Sequence, residues 1–186
     1  MGPNLRYPFN VRSFFTDAET KDIGGGIVLW RGYFQSVRPA IGRMLINVDI
    51  STGAMYMPGA LIDLALAVLG RPGTPNALAP RQGLPDRERI RLQRFIQGIK
   101  ITTSHGQRDA GRQSPKPRVV KKLSKDGARD LRFELGDGQT TTVADYFLRV
   151  LGRPLRFPDV ICVEVSTSFR ASSLPQPVSC SSRLVL

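Results

Sequence analysis

The stretch that most limits what this chain can become is Ala128 to Val165, ARDLRFELGDGQTTTVADYFLRVLGRPLRFPDVICVEV. Leu131 to Leu135 reads as a strand, and Gly136-Asp137-Gly138 as the turn that makes it a hairpin arm. Thr142 to Leu151 reads as a helix: Thr142 can cap it, and Asp145 stands three positions on, where a capping box needs its acid. Gly152 and Pro154 stop that helix, and Val160 to Val165 is the next strand. Four rings, Phe133, Tyr146, Phe147 and Phe157, are interleaved here with arginines. Bases stack on rings and phosphates pair with Arg and Lys, so the mixture suits single-stranded nucleic acid. Rings also fill cores, and that is the reading for Phe147 and Phe157.

Charge points the same way because it is unevenly placed. Of a net +12, residues 81–133 hold +10, whereas residues 134–186 balance to zero. Such a block is the footprint of a polyanion-binding surface. A basic exposed loop is the competing reading, and GQRDAGRQSPKP, residues 106–117, fits one.

Earlier in the chain, residues 1–26 read as a flexible tail broken by Pro3, Pro8 and Asn10 and ending in a Gly24-Gly25-Gly26 joint. No Lys-Ser/Thr follows those glycines, so they are not a phosphate loop. IVLWRGYFQ, Ile27 to Gln35, reads as a strand, Ser36 to Pro39 as a turn, and the alternating Met44 to Ile50 as a second strand. Pro58 to Leu69 is an apolar helix, residues 70–85 a linker, and Pro85 to Gln97 a second helix with Arg87, Arg89, Arg91 and Arg94 on its polar side. Ile99 to Ser104 and Arg118 to Leu123 are strands, and from about Ser166 the chain turns Ser- and Pro-rich and is expected to be poorly ordered. Two cysteines, Cys162 and Cys180, make neither a disulfide framework nor a metal site. No apolar run approaches the ~18 residues of a membrane span, and a soluble, cytoplasmic protein is expected.

With these residues in view, the chain resembles the Argonaute family, its first linker followed by a PAZ domain. Trp30 to Ser51, WRGYFQSVRPAIGRMLINVDIS, is similar to the linker signature, and TTVADYF followed by LRFPDVICVEV is similar to the PAZ signature. The resemblance covers roughly residues 14 to 165. It implies an α+β chain: a PAZ-type small β-barrel of the OB or SH3-like kind, with an inserted β-hairpin and helix, preceded by a linker-1 segment. The implied division is 1–26 tail, 27–80 linker 1, 81–168 PAZ and 169–186 tail. It also implies that the 3′ end of a single-stranded small RNA is gripped between barrel and insert, in RNA silencing. His105, Lys116, Arg118, Phe133 and Tyr146 stand at positions that carry that grip. Pro117 replaces a family tyrosine, Leu151 a family His or Tyr, and SSLPQPVSC lacks the Lys and Tyr of one pocket wall.

Catalysis is not expected. One His and scattered acids give no Ser-His-Asp set, no Cys-His pair and no zinc spacing, no cofactor is called for, and the family's cleavage chemistry belongs to another domain. The competing expectation is a truncated Argonaute piece with no RNA binding of its own, acting as an interaction element beside the remaining Argonaute domains.

Overall fold

The computed structural model describes residues 6–102, 117–135, 138–150, 152 and 154–166. These form two compact units, one running through Met57 and one beginning at Pro58. The Ser- and Pro-rich tail lies outside the described residues, as do His105, Lys116 and Leu151.

The first unit is a four-stranded antiparallel sheet in the order β1 (Arg6–Pro8), β2 (Ser13–Gly24), β3 (Ile27–Ala40), β4 (Arg43–Tyr56). Residues read as a flexible tail therefore supply β1 and β2. The three glycines are the tight β2–β3 turn, with φ of +80°, +60° and +78° at Gly24, Gly25 and Gly26. A two-residue hairpin loop needs positive φ, which side chains other than glycine resist. β3 also runs past the expected turn at Ser36 to Pro39. β2 pairs with β3 as far as Phe34, with one further bond from the Gln35 N–H to the Arg12 carbonyl, so Pro39 lies on the edge past β2 and needs no donor there. One face of this sheet buries Phe15, Val28, Trp30 and Met55, with Phe9 and Met57 packed against them.

The second unit begins with α1 (Leu61–Val68), two short 3-10 turns at Pro75–Leu78 and Pro80–Gln82, and α2 (Asp86–Ile96). Then come β5 (Lys100–Ile101), β6 (Arg118–Gly127), β7 (Arg132–Glu134), β8 (Thr140–Thr142), α3 (Val143–Arg149) and β9 (Ile161–Ser166). Leu64, Leu66, Leu92, Ile96, Ile101 and Val120 are its largest fully buried side chains. The expected barrel is not formed by the described residues. β5, β6 and β9 make an open antiparallel sheet in that order, and β7 and β8 make a separate two-stranded ribbon. A barrel requires every strand to be paired on both sides. Among the described residues β5 offers two, paired Lys100↔Val119 and Ile101↔Arg118, and β9 pairs only with β6, so both edges stay open there. The fold is α+β with open sheets.

A bulge interrupts β6 near its C-terminal end. Between the pairs Leu123↔Val163 and Gly127↔Ile161, three residues of β6 face one of β9. Ser124 replaces the lost ladder: its Oγ accepts from the Cys162 N–H at 2.7 Å and donates to the Asp126 carbonyl at 2.6 Å. α2 is tied to the same strand, because Gln93 Oε1 accepts from the Leu123 N–H at 3.0 Å. At the end of the bulge a Cβ on Gly127 would strike the Asp159 carbonyl oxygen and lie 2.7 Å from its carbon. Gly127→Val is therefore expected to cost about 1–3 kcal/mol or more through backbone displacement. Urea denaturation followed by circular dichroism checks this, and a midpoint matching the parent would show that the contact is slack.

Candidate nucleic-acid interface

The β7–β8 ribbon and α3 form a flap that leaves the β6 end and returns before β9. Its root is hydrogen-bonded: Arg129 N–H donates to the Pro158 carbonyl (2.9 Å), Val143 N–H to Leu131 (3.0 Å) and Ala144 N–H to Ala128 (3.0 Å). Ala128 is fully buried. Thr142 caps α3 as the sequence predicts. Thr142 Oγ1 accepts from the Asp145 N–H at 3.1 Å and donates to the Asp145 carboxylate at 2.8 Å, which places an acid in the helix's positive first turn.

Within the flap, Phe133 on β7 and Tyr146 on α3 meet edge to face, with centroids 5.4 Å apart at 74°. The two rings the sequence singles out thus share one surface rather than separate interiors. Phe133 is 36% exposed and Tyr146 half-buried, whereas Phe147 is buried, 6.4 Å from the Tyr146 ring. Phe147 anchors the helix, which matches its reading as core. Phe157 is half-buried and carries the Arg156 guanidinium 5.2 Å from its centroid.

Arg118 lies at the start of β6, exposed. His105 and Lys116 fall outside the described residues, so of the five candidates the structure brings two together and sets Arg118 on the neighbouring sheet. Two exposed cations on the flap stand outside the five candidates, and Arg132, beside Phe133 on β7, is the first. Arg149 lies one turn beyond Tyr146 on α3, and the i, i+3 spacing that puts them on one face was legible. Several basic groups are already engaged: Arg81 with Asp130 (2.6 Å), Lys122 with Glu164 (3.1 Å) and Arg129 with Asp159 (3.2 Å). Among the described residues Arg118, Arg132 and Arg149 have no such ion pair.

A separate cleft of about 630 Å³ lies between α2, the β6 bulge, β9 and the flap root, with Arg89, Gln93, Lys125, Leu131, Val143 and Cys162 on its walls. Neither Phe133 nor Tyr146 lines it. Burial pushes the Cys162 thiol up to about 11, against a smaller opposing pull from Ser124. The native thiol thus keeps its proton where an unfolded one begins to lose it. Stability from this group is full below about pH 9 and declines from there toward 11. Cys162 is accordingly expected to resist alkylation at pH 8 in the native state and to react on denaturation, as mass spectrometry would record. Rapid native labelling would contradict its buried, protonated state. No group of three or more metal-ligating side chains occurs among the described residues, and none of their helices is long and apolar enough to cross a membrane.

Comparison with known proteins adds to this geometry. The Argonaute linker 1 domain family matches residues 11–57, and the PAZ domain family matches residues 78–178. Protein argonaute 14 of Oryza sativa subsp. japonica is 29% identical over 177 residues, which is 95% of this chain and 16% of the rice protein. This chain therefore spans about one sixth of the length of that relative. The Drosophila Argonaute 2 PAZ domain, solved for 3′ end recognition of nucleic acids, is 32% identical over 48% of this chain and 70% of its own, with a TM-score of 0.35. Kluyveromyces polysporus Argonaute, solved with a guide RNA, aligns with 97% of this chain and 22% of its own at 16% identity, with a TM-score of 0.55, so the two share a fold.

Proposed function

The chain belongs to the Argonaute family, carrying its linker 1 and PAZ domains, and on that premise we propose that it is a cytoplasmic, non-catalytic RNA-binding module that grips the 3′ end of single-stranded small guide RNA. The observation that carries this is the Phe133–Tyr146 pair, one ring surface-facing and the other half-buried, on a flap whose Arg132 and Arg149 lack acidic partners among the described residues. A terminal base stacks on the rings while Arg118 and Arg149 take phosphates. His105 and Lys116 are assigned the same phosphate role from their place in the sequence. Rings and phosphates carry no base code, so sequence preference is weak. Fluorescence anisotropy with a single-stranded RNA and with a blunt duplex of the same sequence tests this. A clear preference for the single strand is expected, and equal affinity would reduce the site to general charge attraction.

A second reading has its own observation. Beyond the buried core, the other face of the β3–β4 ribbon pairs Tyr33 with Ile50, Val37 with Ile46 and Pro39 with Met44. Val37, Met44, Ile46, Val48 and Ile50 on that face are 57–73% exposed. An apolar face of this extent fits an interaction element, with the remaining Argonaute domains as its partners.

A further inference from the structure

We propose that the outer face of α2 is a second nucleic-acid surface, an arginine track that takes the phosphate backbone of single-stranded RNA upstream of its 3′ end. The inference rests on the 3′-end reading only for where that strand comes from. Arg87, Arg91 and Arg94 are all exposed and follow i, i+4, i+7 spacing. At 3.6 residues per turn they fall within about 60° of one another around the helix. The opposite face, Arg89, Leu92 and Ile96, is buried.

Every acid on α2 is already engaged elsewhere. Asp86 pairs with Arg89 at 2.6 Å and Glu88 with Arg71 at 3.1 Å. Among the described residues none of the three outer arginines has an ion-pair partner. Like charges at i, i+4 repel and weaken a helix, and among the described residues no ion pair offsets this for Arg87 and Arg91. A polyanion offsets it.

Three features favour a nucleic-acid backbone. The track spans about 10 Å along the helix axis, long enough to meet successive phosphates of one strand. Guanidinium groups pair with phosphate in bidentate fashion. A lipid surface, by contrast, needs a broad apolar face beside the charges. The apolar side of α2 is buried, and only Ile90, 37% exposed, stands among the arginines. Guanidinium contacts to phosphate carry no base code, so the track reads the backbone and not the bases. α2 is also a neighbour of the flap: its Arg89 and Gln93 line the same cleft as Leu131 and Val143 at the flap root.

The test is the variant R87Q/R91Q/R94Q in the full chain. Glutamine keeps helix propensity close to that of arginine, and circular dichroism and thermal melting verify that the variant folds. With a single strand of about 20 nucleotides, three lost contacts at ~0.7 each should flatten the log–log salt dependence of affinity by about 2. With a strand of about 5 nucleotides sharing the same 3′ end, the slope should not change, and discrimination between 3′-hydroxyl and 3′-phosphate ends should survive. The corresponding lysine variant should keep the slope.

An unchanged slope on the long strand overturns the proposal, as does an equal loss on both strands. Loss of binding to phosphatidylserine vesicles with RNA binding intact overturns it in favour of a lipid surface. Failure of the 3′-end reading is a different result: Tyr146→Ala would then leave both strands unaffected while the arginine variant still flattened the slope on the long one.

Discussion

Alanine at both Phe133 and Tyr146 is expected to weaken binding of a single-stranded RNA 3′ end by about 5- to 150-fold, the equivalent of ~1–3 kcal/mol of base stacking. The two rings touch edge to face at 5.4 Å, so each supports the orientation of the other, and removing one leaves a tilted or collapsed partner. Removing both eliminates the platform. The fold should tolerate the change, because Phe133 lies at the surface and Phe147, not Tyr146, is the buried anchor of α3. The Thr142–Asp145 cap, which fixes where α3 begins, is untouched. Anisotropy titration measures the loss, and an unchanged far-UV spectrum shows that the flap survives. Phe147→Ala would instead be expected to loosen the helix itself. The double variant therefore separates loss of a binding platform from loss of structure.

Trp30→Ala has the largest expected effect on stability, about 3–5 kcal/mol, the range for removing a fully buried large aromatic. Trp30 is 4% exposed, packs within a cluster of Phe15, Val28 and Met55, and meets the Tyr7 ring at 5.3 Å. The first unit has few other large buried side chains, so a cavity there removes much of its core. Domains of this size are stable by only ~5–15 kcal/mol. The linker sheet should thus melt far earlier in the variant. Hydrogen exchange resolved by segment checks it: protection should fall across residues 13–56 and persist in β6, α2 and β9. Uniform protection at the parent level would mean that the sheet is held by something other than this cluster.

Local chemistry made part of this structure legible. The α3 cap, the α2 bounds within one residue at each end and the β9 strand all follow from short-range signals: a Thr and Asp three apart, a Pro-Asp start before an apolar period, a β-branched run. β2 carries no such signal. SFFTDAETKDIG has two adjacent phenylalanines and then a polar half, and its extended form comes from pairing with β3 across the glycine turn. Strand propensity depends on such partners more than helix propensity does. Pro39 misled for the same reason: it reads as a turn until the neighbouring strand is seen to stop short of it. The barrel was expected from resemblance alone, and closure is a property of long-range pairing that no short segment encodes. At the site, residues 133 and 146 were nominated by family likeness and ring chemistry. Their contact is made by a hairpin register, Phe133↔Thr141, followed at once by the helix, and that register was not readable in advance. The arginines of α2 were read as a polar face. What separates Arg89 from Arg87, Arg91 and Arg94 is burial against the sheet and the prior claim on each acid, and both are tertiary facts.

The most direct measurement compares one short single-stranded RNA ending in a free 3′-hydroxyl with the same strand ending in a 3′-phosphate, titrated against the parent chain and against Tyr146→Ala. The parent should prefer the free hydroxyl, and the variant should bind both strands more weakly and with that preference gone. Equal affinity in all four titrations would contradict a 3′-end pocket at Phe133 and Tyr146 and leave only a cationic surface.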